Sequence, residues 1–214
     1  MSNLKGLSLF ANVGIAEAYL KDIGIDILLA NEIDEKRAKF YKTIYPDVHM
    51  ICGDIVNNDI RGQIVSEAIE KGIDFIIATP PCQGMSEAGL RLEFDPRNQL
   101  VSYAIDIIKK VRPKFVLLEN VPKQLITKIY CGKEIILIPE YIKRELGDNY
   151  IFNKETLIMA KDYGVPQLRE RNIFLLVRKD LNFVWEFPEK KREITLREAI
   201  GNLPSLDPKL RDGM

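Results

Sequence analysis

Net charge is the first thing this chain lacks: 31 basic side chains stand against 31 acidic ones. No overall positive field draws it to a polyanion, so contact with nucleic acid has to come from a local patch. Histidine is nearly missing. His49 stands alone with no second ligand at metal spacing, so no metal site is expected. Cys52, Cys82 and Cys131 are odd in number and far apart, which excludes a disulfide framework and paired zinc knuckles and fits a reducing cytoplasm. Nothing approaches the ~20 apolar residues of a membrane span, and no basic-then-apolar export signal opens the chain, so neither secretion nor a membrane partner is expected. The Gly-x-Gly-x-x-Gly fingerprint is also absent, which argues against a pyrophosphate cradle and a nicotinamide oxidoreductase.

What is present is an apolar fraction of 46% in 214 residues, enough to bury the core of one full α/β domain, with or without a small appendage. Short apolar runs alternate with helical patterns. Strands are expected at Leu4–Phe10, Ile25–Ala30, Val48–Cys52, Ile73–Ile77 and Phe115–Leu118. Between them, helices are expected over Ile15–Leu20, over Glu35–Tyr45 where Pro46 closes it, from about Ile64 to Lys71, and over residues 98–110 before Pro113. Thr156–Ala160 and Ile173–Val177 flank a loop and read as a closing pair. This βαβ alternation predicts a doubly wound, mostly parallel sheet with helices on both faces. After about Asp180 a charged turn, a short helix at Leu196–Ile200 and two prolines follow, and no further packed element is expected.

Cys82 lies in Ala78-Thr79-Pro80-Pro81-Cys82-Gln83-Gly84, just past an apolar strand. In open α/β sheets ligands bind beyond the carboxyl ends of the strands, and the two prolines fix the loop that carries this thiol there. A nucleophilic cysteine needs thiolate character, which nearby cations supply. Phe10-Ala11-Asn12-Val13-Gly14 takes the first strand into a tight turn. Glu32 ends the second strand, where a carboxylate can accept from ribose hydroxyls, and Asp54 ends the third, where it can accept from an adenine amine. Together they outline a nucleoside site. Glu119 and Asn120 end the strand neighbouring the cysteine's, and Arg169 and Arg171, two apart in an extended segment, share a face suited to phosphate or carbonyl oxygen.

These four segments, Phe10 to Gly14, Pro81-Cys82-Gln83, Glu119-Asn120-Val121 and Gln167-Leu168-Arg169-Glu170-Arg171, resemble in order and spacing the cytosine carbon-5 DNA methyltransferases. The resemblance spans almost the whole chain. It implies a Rossmann-like sheet of the S-adenosylmethionine-dependent methyltransferase type, acting on a cytosine flipped out of duplex DNA, as part of a restriction-modification system. It implies catalytic roles for Cys82, Glu119, Arg169 and Arg171. Cys82 adds to carbon 6 of the ring, Glu119 serves ring nitrogen 3 and the exocyclic amine, Arg171 binds the carbonyl oxygen at position 2, and Arg169 positions the loop or a phosphate. It implies S-adenosylmethionine bound by Phe10, Ala11, Asn12, Gly14, Glu32, Ile33, Asp54, Ile55, Pro80 and Leu100, and DNA contacted by Gln83, Ser86 and Arg97.

Two departures stand out. Asn12 occupies a position where the family commonly has glycine, so either the turn is left-handed, which asparagine tolerates at some cost, or the cofactor sits slightly differently. The target-recognition region and the last cofactor motif have no counterpart here. Residues 1–185 are thus expected to be the catalytic and cofactor-binding domain, and 186–214 a linker toward a recognition region carried elsewhere or by a second polypeptide. The alternatives are a tRNA cytosine methyltransferase relative and a non-catalytic subunit that binds cofactor and needs a partner chain.

Overall fold

In a computed structural model of the chain, the described residues are 3–81 and 95–203. β1 (Leu4–Leu9), β2 (Ile25–Glu32), β3 (His49–Cys52), β4 (Phe75–Ala78) and β5 (Phe115–Asn120) are short runs without an interior proline, most buried in β4 and most exposed in the edge strand β3. α1 (Glu35–Ile44) starts at Asp34, whose carboxylate accepts from the Arg37 amide at 3.0 Å. α2 (Asn58–Lys71) starts at Asn57 and stops at Gly72, whose φ is 66°. It begins six residues before its apolar spacing shows, because a cap sets that end. α3 (Leu100–Val111) follows a 3-10 turn at Pro96–Gln99.

β6 (Lys128–Cys131) and β7 (Glu134–Leu137) form a hairpin, and α4 (Ile138–Leu146) with Pro139 in its first turn leads on to β8 (Tyr150–Phe152). The segment from 122 to 152 carries no expected element in the sequence reading. Its strands are only three or four residues long, too short to show a period. β9 (Leu157–Met159) and β10 (Glu170–Arg178) are the expected closing pair, with Arg171 opposite Ile158.

The main sheet runs β3-β2-β1-β4-β5-β10-β8, with β9 also on β10. β1 to β5 are mutually parallel and β10 enters antiparallel between β5 and β8. The fold is therefore the mostly parallel α/β sheet that the alternation predicts. Side-chain alternation divides its two faces: Leu7, Leu9, Ile76, Ala78, Val116, Leu118, Phe174 and Leu176 pack with α2, α3 and α4. On the other face Phe75, Ile77, Phe115 and Leu117 meet Leu20 and Trp185, while Ala30 and Val48 meet Tyr41 of α1.

Two segments differ from expectation. No α-helix forms over Ile15–Leu20. Consecutive turns, with Leu20 donating to the Glu17 carbonyl at 3.0 Å, lead to a 3-10 turn at Lys21–Ile23. Its apolar residues at helical spacing, Ile15 and Tyr19, point to solvent, whereas Glu17 is buried. The chain has only nine residues between Gly14 and Gly24, both with φ above 80°, to return to the sheet edge. The residues after Asp180 also pack. Trp185 sits edge-on to Phe115 with ring centres 6.1 Å apart, and Lys190 pairs with Asp162 at 2.7 Å, so residues 183–193 form a strap across the sheet's second face. α5 (Leu196–Ile200) beyond the strap has no buried residue.

Candidate active site

At the carboxyl end of β1 the chain turns through three left-handed residues, Phe10 (φ 60°), Asn12 (φ 51°) and Gly14 (φ 84°). Asparagine thus takes the left-handed conformation. The turn is closed by the Gly14 amide donating to the Ala11 carbonyl at 2.9 Å. Glu32, buried at the end of β2, fastens it: one carboxylate oxygen accepts from the Asn12 amide at 2.8 Å and the other from the Asp34 amide at 3.0 Å. Asn31 beside it donates to the Ile51 and Gly53 carbonyls at 2.9 and 3.0 Å, which locks the ends of β2 and β3 together.

These strand ends enclose a cavity of about 330 Å3. Seven of the ten expected cofactor residues line it: Phe10, Asn12, Glu32, Ile33, Asp54, Ile55 and Leu100. Ala11, Gly14 and Pro80 do not. Ala11 is buried beside Tyr41 and Val48. Gly14 faces α1, where an added Cβ would come within 2.2 Å of the Tyr45 ring, so its missing side chain serves packing rather than approach to a ligand. Pro80 is turned inward, its carbonyl accepting from the Asn120 amide nitrogen at 3.0 Å, and the next residue, Pro81, lines the cavity. Arg37, Gly53 and Thr79, outside the expected set, also line it. Glycine after β3 and threonine after β4 at least stood at strand ends, whereas Arg37, one of several charges on α1, carried no signal.

The cavity suits a nucleoside by its chemistry. Phe10, Ile33, Ile55 and Leu100 offer apolar surface for a base, and Glu32 and Asp54 offer acceptors for hydroxyl and amine. Glu32 accepts from two backbone amides, and each carboxylate oxygen keeps a further lone pair able to accept at the cavity wall it lines. Cys52, exposed beside this rim, has its thiol pushed up by burial and by the acids Glu35, Glu32 and Asp34, which leaves it a poor nucleophile. Among the described residues no group of three His, Cys, Asp or Glu could hold a metal ion.

On the next strands stands the second group. Glu119 and Arg171 meet at 2.7 Å across β5 and β10. Glu119 is directly opposite Ile173, so Arg171, two residues along, is its diagonal neighbour on the same face. Beneath the pair Asn172, fully buried, donates to the Gln124 side chain at 2.8 Å. Arg169 lies one residue before β10 begins, on an exposed bend where its amide donates back to the Gln167 carbonyl, and its guanidinium has no partner among the described residues. The extended segment that would put it on a face with Arg171 starts only at Glu170.

β4 runs between the cavity and this pair. Thr79, just past its end, donates through its hydroxyl to the Phe10 carbonyl at 3.3 Å, and Pro80 is held by Asn120, so both sides anchor the approach to Cys82. Cys82, Gln83 and Ser86 themselves lie outside the described residues. Arg97 is held by the buried Asp95 carboxylate in a two-point fork at 2.8 and 2.5 Å, and its hydrogen bonds hold the Asp95 pKa down at about 2.

The family model for C-5 cytosine-specific DNA methylases matches residues 4–212. Among curated proteins, the Type II methyltransferase M1.HgaI of Avibacterium volantium is 40% identical over 99% of the chain, and M.NgoPII of Neisseria gonorrhoeae is 37% identical over 94%. The chain spans 60% and 57% of these two relatives. Among solved structures, a prophage-encoded DNA modification methyltransferase of E. coli superimposes with a TM-score of 0.75 at 27% identity, over 95% of this chain and 56% of the other. Spodoptera frugiperda DNMT2, at 21% identity and a TM-score of 0.67, over 90% of this chain and 57% of the other, shares the fold.

Proposed function

This chain belongs to the C-5 cytosine-specific DNA methylase family, and from that membership we propose that it methylates carbon 5 of cytosine in duplex DNA with S-adenosylmethionine. The observation that supports the reading is the placement of β4, whose end brings Pro80 and Pro81, the residues just before Cys82 in the sequence, to the sheet edge between a nucleoside-sized cavity and the Glu119–Arg171 pair. Bound in that cavity, the cofactor supplies an electrophilic methyl group on a sulfonium.

The chain's own residues do the rest. Glu32 accepts from ribose hydroxyls and Asp54 from the adenine amine, while Phe10, Ile33, Ile55 and Leu100 hold the base. Cys82, as the thiolate, adds to carbon 6 of a flipped cytosine, which makes carbon 5 nucleophilic enough to take the methyl group. Glu119 holds a proton at ring nitrogen 3 and accepts from the exocyclic amine, so charge does not build on the ring during addition. Arg171, already oriented by Glu119, donates to the carbonyl oxygen at position 2. Loss of the carbon-5 proton then expels the Cys82 sulfur. Gln83 enters the space the base leaves, Ser86 and Arg97 hold backbone phosphates, and Arg169 steadies the loop or a phosphate.

Residues 1–185 form the catalytic and cofactor-binding unit in this reading, and 186–214 lead toward a target-recognition region, on the same polypeptide or a second one. The exposure of all of α5 supports that division, and the Lys190–Asp162 ion pair ties the start of the second part to the first. The likeness to Type II methyltransferases supports a place in restriction-modification. Among the described residues no helix is long and apolar enough to cross a membrane, and the free thiols Cys52 and Cys131 suit the reducing cytoplasm.

The test is a covalent complex with duplex DNA containing 5-fluorocytosine, formed in the presence of S-adenosylmethionine. The fluorine cannot leave as a proton does, so the adduct accumulates on Cys82. Adduct formation by a Cys82→Ser variant would overturn the assignment, and methyl transfer to tRNA but not to duplex DNA would replace the substrate.

A further inference from the structure

Glu17 is a buried acidic side chain that the proposed reaction does not use, and its surroundings are unusual. It is 3% exposed, and among the described residues neither of its carboxyl oxygens has a hydrogen-bond partner. The Tyr41 hydroxyl, equally buried, has none either. Three elements meet there: β1 brings Ser8, α1 and the residue capping its C-terminus bring Tyr41 and Tyr45, and the turns after Gly14 bring Glu17 itself. The groups facing the carboxyl are thus one aliphatic hydroxyl and two phenols, with no ammonium or guanidinium paired to it. Burial pushes the Glu17 carboxyl up from its ordinary value. The Ser8 and Tyr41 hydroxyls are near enough to draw it part of the way back, although neither completes a hydrogen bond by distance and angle.

The cluster is the floor of the nucleoside cavity's turn. Tyr45 donates from its hydroxyl to the Gly14 carbonyl at 2.7 Å, and the Tyr41 ring packs 4.8 Å from that of Tyr45, centre to centre. Tyr41 also lies against Gly14, within 3.1 Å of where a Cβ would stand. Two residues before Gly14 is Asn12, whose amide is bound to Glu32 and which lines the cavity. A displacement of Tyr41 therefore reaches the cavity wall through Gly14. A neutral carboxyl sits quietly between the two rings and β1. An ionised one, unpaired and out of water, can be relieved only by moving its neighbours apart or by turning out toward solvent.

We propose that Glu17 is a positioning residue for the cofactor cavity: held as the neutral acid it packs Tyr41 and Tyr45 under Gly14 and so fixes the left-handed turn, and its ionisation releases that turn and weakens cofactor binding. The inference rests on the reading of the cavity as an S-adenosylmethionine site. It deepens that reading by adding a protonation state to it, since nothing in the reaction itself asks for a neutral acid at this place.

The sign follows from linkage. If the bound form requires the proton, affinity is constant below the Glu17 pKa of the folded protein and falls about tenfold per pH unit above it. The experiment titrates S-adenosylhomocysteine by calorimetry into the whole protein from pH 4 to 9, for the natural chain, Glu17→Gln and Glu17→Leu. Glu17→Gln is expected to bind as the natural chain does at low pH and to lack its decline at high pH. Glu17→Leu, which cannot fill the polar site, is expected to bind several-fold more weakly throughout. Both variants keep the same tyrosines and lysines, so their titration cancels in the comparison. Amide hydrogen exchange of residues 11–14 without ligand, corrected for intrinsic rates, gives a second readout. Protection lost at high pH in the natural chain and retained in Glu17→Gln supports the proposal. One shared pH profile for the natural chain and Glu17→Gln in exchange overturns it. If the natural chain binds no S-adenosylhomocysteine at any pH, the cofactor reading fails, and the exchange data still decide whether Glu17 holds the turn.

Discussion

Replacing Gly14 by alanine separates the two uses a glycine has in this turn. If Gly14 is there only to let a ligand approach, Gly14→Ala costs affinity and lowers the stability of the ligand-free protein by no more than its backbone penalty. The structure predicts a larger loss. At φ 84° an alanine bears a left-handed penalty of about 1–2 kcal/mol. Its Cβ would stand 2.2 Å from Cε2 of Tyr45, so the ring has to move, and rearranging a filled site of this kind costs about 1–3 kcal/mol. The moving ring also gives up the hydrogen bond from the Tyr45 hydroxyl to the Gly14 carbonyl, worth about 1 kcal/mol. Together these come to about 4 kcal/mol, among the larger losses a single substitution causes. For a chain of this size the melting temperature falls by roughly 10 °C on the usual conversion. Differential scanning calorimetry of the ligand-free protein measures it. Asn12→Gly is the control: its φ of 51° suits glycine and the amide bond to Glu32 is kept, so stability should change by less than about 1 kcal/mol. Melting of Gly14→Ala within about 2 °C of the natural chain would refute the packing argument.

Other expectations follow from the same geometry. Arg171→Ala leaves Glu119 without its partner and the pyrimidine carbonyl without its donor, so kcat for methyl transfer to duplex DNA should drop about 100-fold or more, with only partial recovery in Arg171→Lys; an unchanged kcat would remove Arg171 from the site. Trp185→Ala should lower stability by about 2–3 kcal/mol, because a half-buried indole leaves Phe75 and Phe115 uncovered; as the chain's single tryptophan it also reports strap unfolding by fluorescence, and a separate early transition would show the strap to be independent of the sheet. Asp95, with a folded pKa of about 2 against an ordinary 3.8, contributes stability present above pH 3.8 and lost as pH falls through 2. The partial exposure of the Arg97 side chain limits that contribution to about 1 kcal/mol, so Asp95→Asn should lose that much at pH 7 and progressively less as pH falls below 3.8 in urea titrations.

The sequence by itself determined the sheet and the chemistry carried at its edge. Runs such as Phe75-Ile76-Ile77-Ala78 and Phe115-Val116-Leu117-Leu118 are buried on both faces, so composition alone marks them as parallel strands, and the residues just beyond such strands stand at the ligand edge in any α/β fold. That is why Glu32, Asp54 and Glu119 could be named from their places at strand ends. Tertiary structure decided what depends on contacts between distant segments. Gly14 reads locally as a turn glycine, but Tyr45, 31 residues away, is what requires it. Ile15 and Tyr19 carry helical spacing, yet the short path between two left-handed glycines turns them to water and Glu17 inward, against the order that hydrophobicity alone would impose. Arg171 meets Glu119 because β10 enters antiparallel with Ile173 opposite that residue, a register set by the buried faces of both strands and not by any motif. The strap is the same kind of result: Trp185 in an irregular run has no period to reveal it, and only the uncovered second face of the sheet gives it a place to pack.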